Sequence, residues 1–484
     1  MKAAFKGTIA RGVLWSALDR FASQGIQFVF SIFIARMLMP NDYGIIAILS
    51  VFIALFQTFV DSGLCTALVR RESCSEEDFS TVFYFNIIVA VFAYFILWFI
   101  APVISEFYNN GSLVLYTRVI ASTLVISSVS GVHNAKLSIN LDFKIKAQIS
   151  IITVIVNGTV VLMMAYFGYG IWALVVQTIL NSFLRSLLLW IYVKWTPKLV
   201  FSADSFRYLF SFGSRILGSS LVDTIYNNIY TLVIGRCFSP SMVGLYSKAS
   251  TLSQFLSSNI TNVLTSVSFP AFSKVQDDLE VLSNANKKYI RLSAYIVFPL
   301  MIGLVVLAEP LITVLLKEQW LEVVPLLRIL CFEWILYPIH AINLNLLWVK
   351  GRSDYYLRLE IVRKAISVAV LVITVPYGVE IMCYGRVFMS LLGLIINTYY
   401  SKKLIGYSIA NQLKDILPIF IHSCVMGAIV YFITMNINDN IFKLLGGFVV
   451  GSTYYFGVSG MLSSQEYGFL KNILCNWYDS KKTK

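Results

Sequence analysis

Apolar stretches of about twenty residues, each ended by a short polar or charged break, run along the whole chain. A stretch of that length crosses the hydrocarbon core of a bilayer as an α-helix. The pattern predicts fourteen spans, at residues 12–37, 43–68, 80–101, 113–137, 148–167, 170–193 and 208–235, then 242–267, 289–308, 324–349, 358–376, 380–400, 414–434 and 442–462. The breaks leave no segment long enough for a separate extramembrane domain. The expected fold class is an all-α polytopic membrane protein.

A repeat organises these spans. The first ends in Ile34-Ala-Arg36-Met-Leu-Met-Pro40-Asn-Asp-Tyr-Gly44, and the seventh in Ile234-Gly-Arg236-Cys-Phe-Ser-Pro240-Ser-Met-Val-Gly244. Ile, Arg, Pro and Gly recur at one offset and at one place in the hydropathy pattern. Arg can hold a headgroup region, Pro cannot continue a helix, and Gly opens the next span. The repeat predicts two pseudo-symmetric six-helix lobes, residues 1–200 and 201–404, followed by a C-terminal helix pair at 405–484. Six spans per lobe is even, so both lobes enter the membrane in the same sense. A site between such lobes is a plan known for transporters.

Composition agrees and adds a sign. Hydrophobic residues make up 58% of the 484 and charged residues only 13%, against about 45–50% and about 25% in soluble chains. The formal net charge is +13. Nucleic acid is excluded as a partner, because its recognition needs a solvated basic face. With the N-terminus inside, 27 of the 38 basic residues fall on the cytoplasmic side and 7 on the outer side. By the positive-inside rule both termini are expected in the cytoplasm. The first apolar run is too long for a signal peptide and carries Asp19 and Arg20.

Ionisable groups inside a span are costly and normally face protein or a water-filled cavity. The four basic residues assigned to neither side, and so left inside spans, are Arg20, Arg185, Arg215 and Lys248. At helical spacing, Arg20, Gln24, Gln27 and Ser31 form one stripe on span 1. Arg215, Ser219, Asp223, Tyr226 and Tyr230 form another on span 7, and Lys248, Asn259, Asn262 and Ser266 a third on span 8. A polar, net cationic cavity lined by these three helices is the natural expectation. The plainer alternative is that the arginines snorkel or pair with Asp19 and Asp223. Arg36 and Arg236 read as structural corners with a further possibility of outer gating. Asp61, Asp223 and Glu333 are the candidates for ion coupling.

Other chemistry is missing from the sequence. No P-loop is present, so ATP is not the expected direct energy source; an H+ or Na+ gradient is the alternative, and no bound cofactor is expected. The seven cysteines show no metal-ligand spacing. His133, His340 and His422 all lie within spans, where an isolated His is more often a helix–helix hydrogen-bond partner than a proton relay. The short outer loops carry no paired carboxylates, so an enzyme is not expected.

The Arg36-x3-Pro40-x3-Gly44 corner resembles polysaccharide-type members of the multidrug/oligosaccharidyl-lipid/polysaccharide exporter superfamily. So do Asp61-x-Gly63-Leu64-x2-Ala67-Leu68, Leu141-Asp-Phe-Lys144, Val243-Gly-Leu-Tyr246-x-Lys-Ala249 and Gly351-Arg-Ser-Asp354. In this order along the chain they look most like the Wzx-type flippases. The resemblance implies a bacterial inner-membrane protein that turns an undecaprenyl-pyrophosphate-linked oligosaccharide from the inner to the outer leaflet by alternating access, for O-antigen, capsule or exopolysaccharide. Its partners would be that lipid-linked oligosaccharide, membrane lipids, and the polymerase and chain-length proteins of the pathway. Arg20, Arg215 and Lys248 would then contact the diphosphate, and Gln24, Gln27, Ser219, Tyr226 and Asn259 the sugar. A lipid II flippase or a multidrug/cation antiporter of the same superfamily is the alternative.

Overall fold

A computed structural model describes residues 22–71, 73–461 and 466–468. Arg20 lies outside the described residues. Among them every regular element is helical. The chain divides into two compact units, Met1–Gly244 and Leu245–Lys484.

The first unit holds α1 (Ala22–Ala35), α2 (Pro40–Asp61), α3 (Leu64–Arg70), α4 (Glu76–Phe107), α5 (Leu113–Ser128), α6 (Gly131–Ile139), α7 (Phe143–Tyr166), α8 (Ile171–Val193) and α9 (Ala203–Cys237). Helix α10 (Pro240–Lys274) begins just before the boundary. The second unit continues with α11 (Leu279–Val306), α12 (Ala308–Leu316), α13 (Val323–Trp334), α14 (Tyr337–Val349), α15 (Ser353–Thr374), α16 (Val379–Ile405), α17 (Ile409–Thr434) and α18 (Asn440–Met461). Within the described residues each expected span overlaps a helix or two consecutive helices. Among the described residues nine helices are long and apolar enough to cross a membrane, or ten with the pair α5–α6. The remaining four expected spans are α1, α9, α10 and α15. The 35-residue α9 and α10 and the charged α15 carry polar stripes that dilute their hydropathy.

The corner motifs take their shapes from local chemistry. Pro40 and Pro240 sit in the first turns of α2 and α10, where a missing N–H costs nothing. The two corners of the repeat meet: a Cβ at Gly44 would fall on the Pro240 carbonyl, and one at Gly244 on the Pro40 carbonyl. Just past the end of α2, Gly63 adopts φ +67° and a Cβ there would lie 2.5 Å from the Gly213 carbonyl of α9. Leu64, Ala67 and Leu68 of the same motif are buried under α4 and α9. The Ser75 hydroxyl caps α4 at the Asp78 N–H, while Asp78 accepts from the Ser75 N–H and pairs with Arg71 at 2.7 Å.

The sequence predicts span 4 as one continuous helix, but the chain bends by 41° between α5 and α6. A break inside a membrane frees carbonyls that lipid cannot satisfy. Helix α8 supplies donors: the Ser186 hydroxyl bonds the Ile126 carbonyl at 2.8 Å, and the Trp190 indole N–H bonds the Val129 carbonyl at 2.8 Å. The span expected as its counterpart in the second half breaks too, between α13 and α14. There the Ser390 hydroxyl of α16 bonds the Glu333 carbonyl at 3.0 Å, and the Ser257 hydroxyl of α10 bonds the Trp334 carbonyl at 2.6 Å. His133 and His340 occupy matching places just past the two breaks. The first bonds the Trp195 carbonyl at 3.1 Å; the second lies 3.2 Å from Ser390 and from Asn397.

Candidate functional site

A cavity of about 630 Å³ opens among the helices of the first unit. The lining follows helical spacing. Helix α8 contributes Thr178, Ser182, Arg185 and Leu189 on one stripe, with Gln177 and Asn181 beside it. Helix α2 contributes Gln57 and Asp61, one turn apart. Helix α1 contributes Gln27 and Phe30, and α7 contributes Val154, Asn157 and Gly158. The break between α5 and α6 brings Ser127, Ser130, Gly131 and Asn134 to the wall.

The wall is mostly amide and hydroxyl. The Ser127 hydroxyl donates to the Gln57 carbonyl oxygen at 2.9 Å, and the Gln57 amide donates to Asp61 at 3.0 Å. Asn157 is only 6% exposed, and its side-chain oxygen has no hydrogen-bond partner. Arg185 is exposed to the cavity, and no described carboxylate lies within 4.0 Å of it. Phe30 lies directly over Gly158, where any Cβ would overlap the ring. Arg185 and Asp61 are the charged residues in the described lining.

Two of the sequence-chosen residues, Gln27 and Asp61, reach this cavity. Gln24 is half-buried on α1. On α9, Arg215, Ser219 and Asp223 are exposed and Tyr226 is half-buried, none of them in the cavity wall. Ser219 satisfies itself on the Ile216 carbonyl at 2.9 Å. Lys248 and Asn259 belong to α10 in the second unit. The Lys248 ammonium stands 5.8 Å from the ring centre of the buried Trp320, and the Asn259 amide bonds the Phe255 carbonyl one turn back. Arg236 stacks on Phe107 at 4.9 Å, and Arg36 is half-buried at the matching corner.

Arg185 is the group that the sequence reading set aside. It carried the same signal as Arg20 and Arg215, a cation within a span. Helix α8 also carries a polar stripe, Gln177, Thr178, Asn181, Ser182 and Arg185, of the kind that marked spans 1, 7 and 8, and that stripe was the signal available for the cavity.

A second polar cluster lies in the second unit. Glu333 of α13 accepts from Arg386 of α16 at 2.7 Å, while its other oxygen is buried without a hydrogen-bond partner. Arg386 also donates to the Tyr246 hydroxyl. Nearby, Asn343 and Gln412 exchange amide hydrogen bonds of 3.0 and 3.2 Å, both side chains buried, tying α14 to α17. Among the described residues no group of three His, Cys, Asp or Glu could hold a metal ion.

Long apolar helices with a polar cavity sunk among them define a multi-pass membrane protein. The chain belongs to the family described as "polysaccharide biosynthesis protein", which matches residues 33–325. The resemblance read from the corner motifs, to Wzx-type polysaccharide flippases, is thereby borne out. Among curated relatives, the teichuronic acid biosynthesis protein TuaB of Bacillus subtilis is 27% identical over 348 residues, 72% of each chain. The lipopolysaccharide biosynthesis protein WzxC of Escherichia coli is 25% identical over 422 residues, 85% of this chain and 84% of that one. Among solved structures, the lipid II flippase MurJ in an inward closed conformation superposes with a TM-score of 0.76 at 14% identity, covering 93% of this chain and 98% of that one. That likeness is one of fold.

Proposed function

We propose that the chain is a flippase for a lipid-linked oligosaccharide. It carries an undecaprenyl-pyrophosphate-linked repeat unit from the inner to the outer leaflet, for O-antigen, capsule or exopolysaccharide. The observation that carries this reading is the cavity of the first unit, about 630 Å³ of amide and hydroxyl wall inside membrane-spanning helices. Sugar hydroxyls need donors and acceptors that lipid does not supply, and an amide offers both. The polyprenyl tail needs no such wall and can stay in lipid.

In this reading all fourteen helical segments span the inner membrane, with both termini in the cytoplasm. Two six-helix lobes, residues 1–200 and 201–404, alternate in access, and the pair at 405–484 is an appendage. Arg20, Arg215 and Lys248 neutralise the diphosphate, because a guanidinium matches phosphate oxygens in low-dielectric surroundings. An H+ or Na+ gradient can drive the cycle through Asp61, Asp223 or Glu333, with Arg36 and Arg236 at the outer gate. Polymerase and chain-length proteins receive the product.

The test is export of surface polymer by a host whose own flippase is deleted. Expression of the chain should restore polymer, and Arg20→Ala/Arg215→Ala should abolish it while the protein remains in the membrane. Full export by the double variant would remove the diphosphate assignment. Rescue of a strain depleted of its peptidoglycan flippase would instead assign the chain to lipid II.

A further inference from the structure

We infer that the second unit carries a site for an anionic phospholipid. Its headgroup phosphate is held by Lys402 and Lys403 at the end of α16 and by Arg352 at the start of α15. The site is separate from the cavity of the first unit and stands without the flippase reading.

The apolar pattern of α16 says which kind of ligand reaches the lysines. Phe388, Leu391, Ile395 and Tyr399 follow one another at three or four residues, and all are exposed. A row of large apolar side chains left open on a membrane helix is a surface for lipid. Tyr384 and Tyr399 stand at its two ends, 15 residues and so about 22 Å apart. Aromatic rings in such places settle at the headgroup levels. Lys402 and Lys403 follow Tyr399 in the last turn of the helix, and both are exposed. An acyl chain lying along the row therefore brings its phosphate to these ammonium groups. Helix α15 runs antiparallel beside α16. Val370 and Thr374 close on Gly385 at one end, and the Tyr355 ring lies 4.6 Å from that of Tyr400 at the other. That packing adds Arg352 to the lysines.

The cations are gathered before any ligand arrives. The Arg352 guanidinium stands 3.6 Å from the centre of the Tyr355 ring, and the Lys403 ammonium 5.0 Å from the same centre. A ring face draws a cation, but two cations on one ring repel each other. Asp354 accepts from Arg352 at 2.9 and 2.7 Å and neutralises that one alone. Lys402 and Lys403 have no described carboxylate within 4.0 Å. A phosphate supplies the missing negative charge. The positive-inside rule expects this end on the cytoplasmic side, where basic pockets between membrane helices take anionic headgroups. A zwitterionic lipid brings its own ammonium and gains less. Free phosphate leaves the apolar row uncovered.

The test titrates the full-length protein in detergent with dioleoyl-phosphatidylglycerol or dioleoyl-phosphatidylcholine, and native mass spectrometry reads the affinity of the first lipid bound. The wild type should bind the glycerol lipid at least fivefold more tightly than the choline lipid. Lys402→Ala/Lys403→Ala should bring that preference below twofold. Lys402→Gln leaves the Lys403–Tyr355 contact in place, should halve the preference, and serves if the double variant does not fold. Lys481→Ala/Lys482→Ala removes the same charge elsewhere in the chain and should leave the preference as it was. Equal binding of both lipids by the wild type would overturn the inference, as would an undiminished preference in the double variant. An equal loss in Lys481→Ala/Lys482→Ala would overturn it too, because net charge would then suffice. Displacement of the glycerol lipid by equimolar farnesyl pyrophosphate would give the site to a prenyl diphosphate instead, and displacement by inorganic phosphate would give it to the free ion.

Discussion

Ser186 shows how one hydroxyl decides whether a span can break. With its proton on the Ile126 carbonyl at 2.8 Å, it stands in for the helical N–H that the bend removes. Ser390 does the same for Glu333 in the other half. Hydrogen bonds between membrane helices average about 0.6 kcal/mol and reach about 1.7. Ser186→Ala and Ser390→Ala should each lower stability by that order, read as a fall in the thermal midpoint of the purified protein. Ser219→Ala, whose hydroxyl only bonds its own helix, should change nothing measurable. Gly158→Ala forces the Phe30 ring into the cavity and should weaken saccharide binding more than it lowers stability. None of this was legible in the sequence. Ser186 follows Arg185 in the sequence and residues 127–134 are rich in serine, but nothing in either segment tells which carbonyl a hydroxyl will meet.

Helix packing follows the glycines. Gly44 and Gly244 each rest on the backbone of the opposite corner, and backbone cannot step aside as a side chain can. Overfilling such a contact costs about 1–3 kcal/mol, so Gly44→Val and Gly244→Val should both lower the thermal midpoint and export. Gly63→Ala adds strain at φ +67° to a contact 2.5 Å from the Gly213 carbonyl and should behave alike. Gly303, in the interior of α11 with open space around it, gives the opposite sign. Gly303→Ala should stabilise by about 0.4–1 kcal/mol, through the helix preference of alanine and a less flexible unfolded chain. At this scale much was legible. The Arg-x3-Pro-x3-Gly corner, with its period of two hundred residues, named both glycines before any contact was known. The cavity as a whole was not, because stripe analysis weighs one helix at a time. Its wall takes Gln27 from α1, Gln57 and Asp61 from α2, Asn157 from α7 and Arg185 from α8. Only packing brings them together.

Orientation is a property of the whole molecule, yet contacts within the first unit make it testable. Helix α2 starts where the Gly44–Gly244 corner lies, just past the end of α9, and finishes where Gly63 meets Gly213 near the start of α9. The two helices therefore run antiparallel. The 22 residues of α2 rise by about 33 Å, a membrane thickness. Cys237, the last residue of α9, and Cys74, in the turn before α4, must then face opposite sides. Basic residues gather at the Cys74 end. Arg71 pairs with Asp78, and Lys136 pairs with Glu76 at 3.1 Å over the rings of Phe79 and Trp195. By the positive-inside rule that end is expected on the cytoplasmic side. In single-cysteine variants, a membrane-impermeant maleimide should label the exposed Cys237 in cells with an intact inner membrane, and Cys74 only after lysis. Burial, with Asp78 nearby, pushes the Cys74 thiol up, and the thiolate is the nucleophile, so its labelling after lysis should speed up as pH rises. Labelling of Cys74 alone in intact cells would turn the molecule over and place the basic loops outside. The proposed inner-to-outer transport would then start from the wrong leaflet.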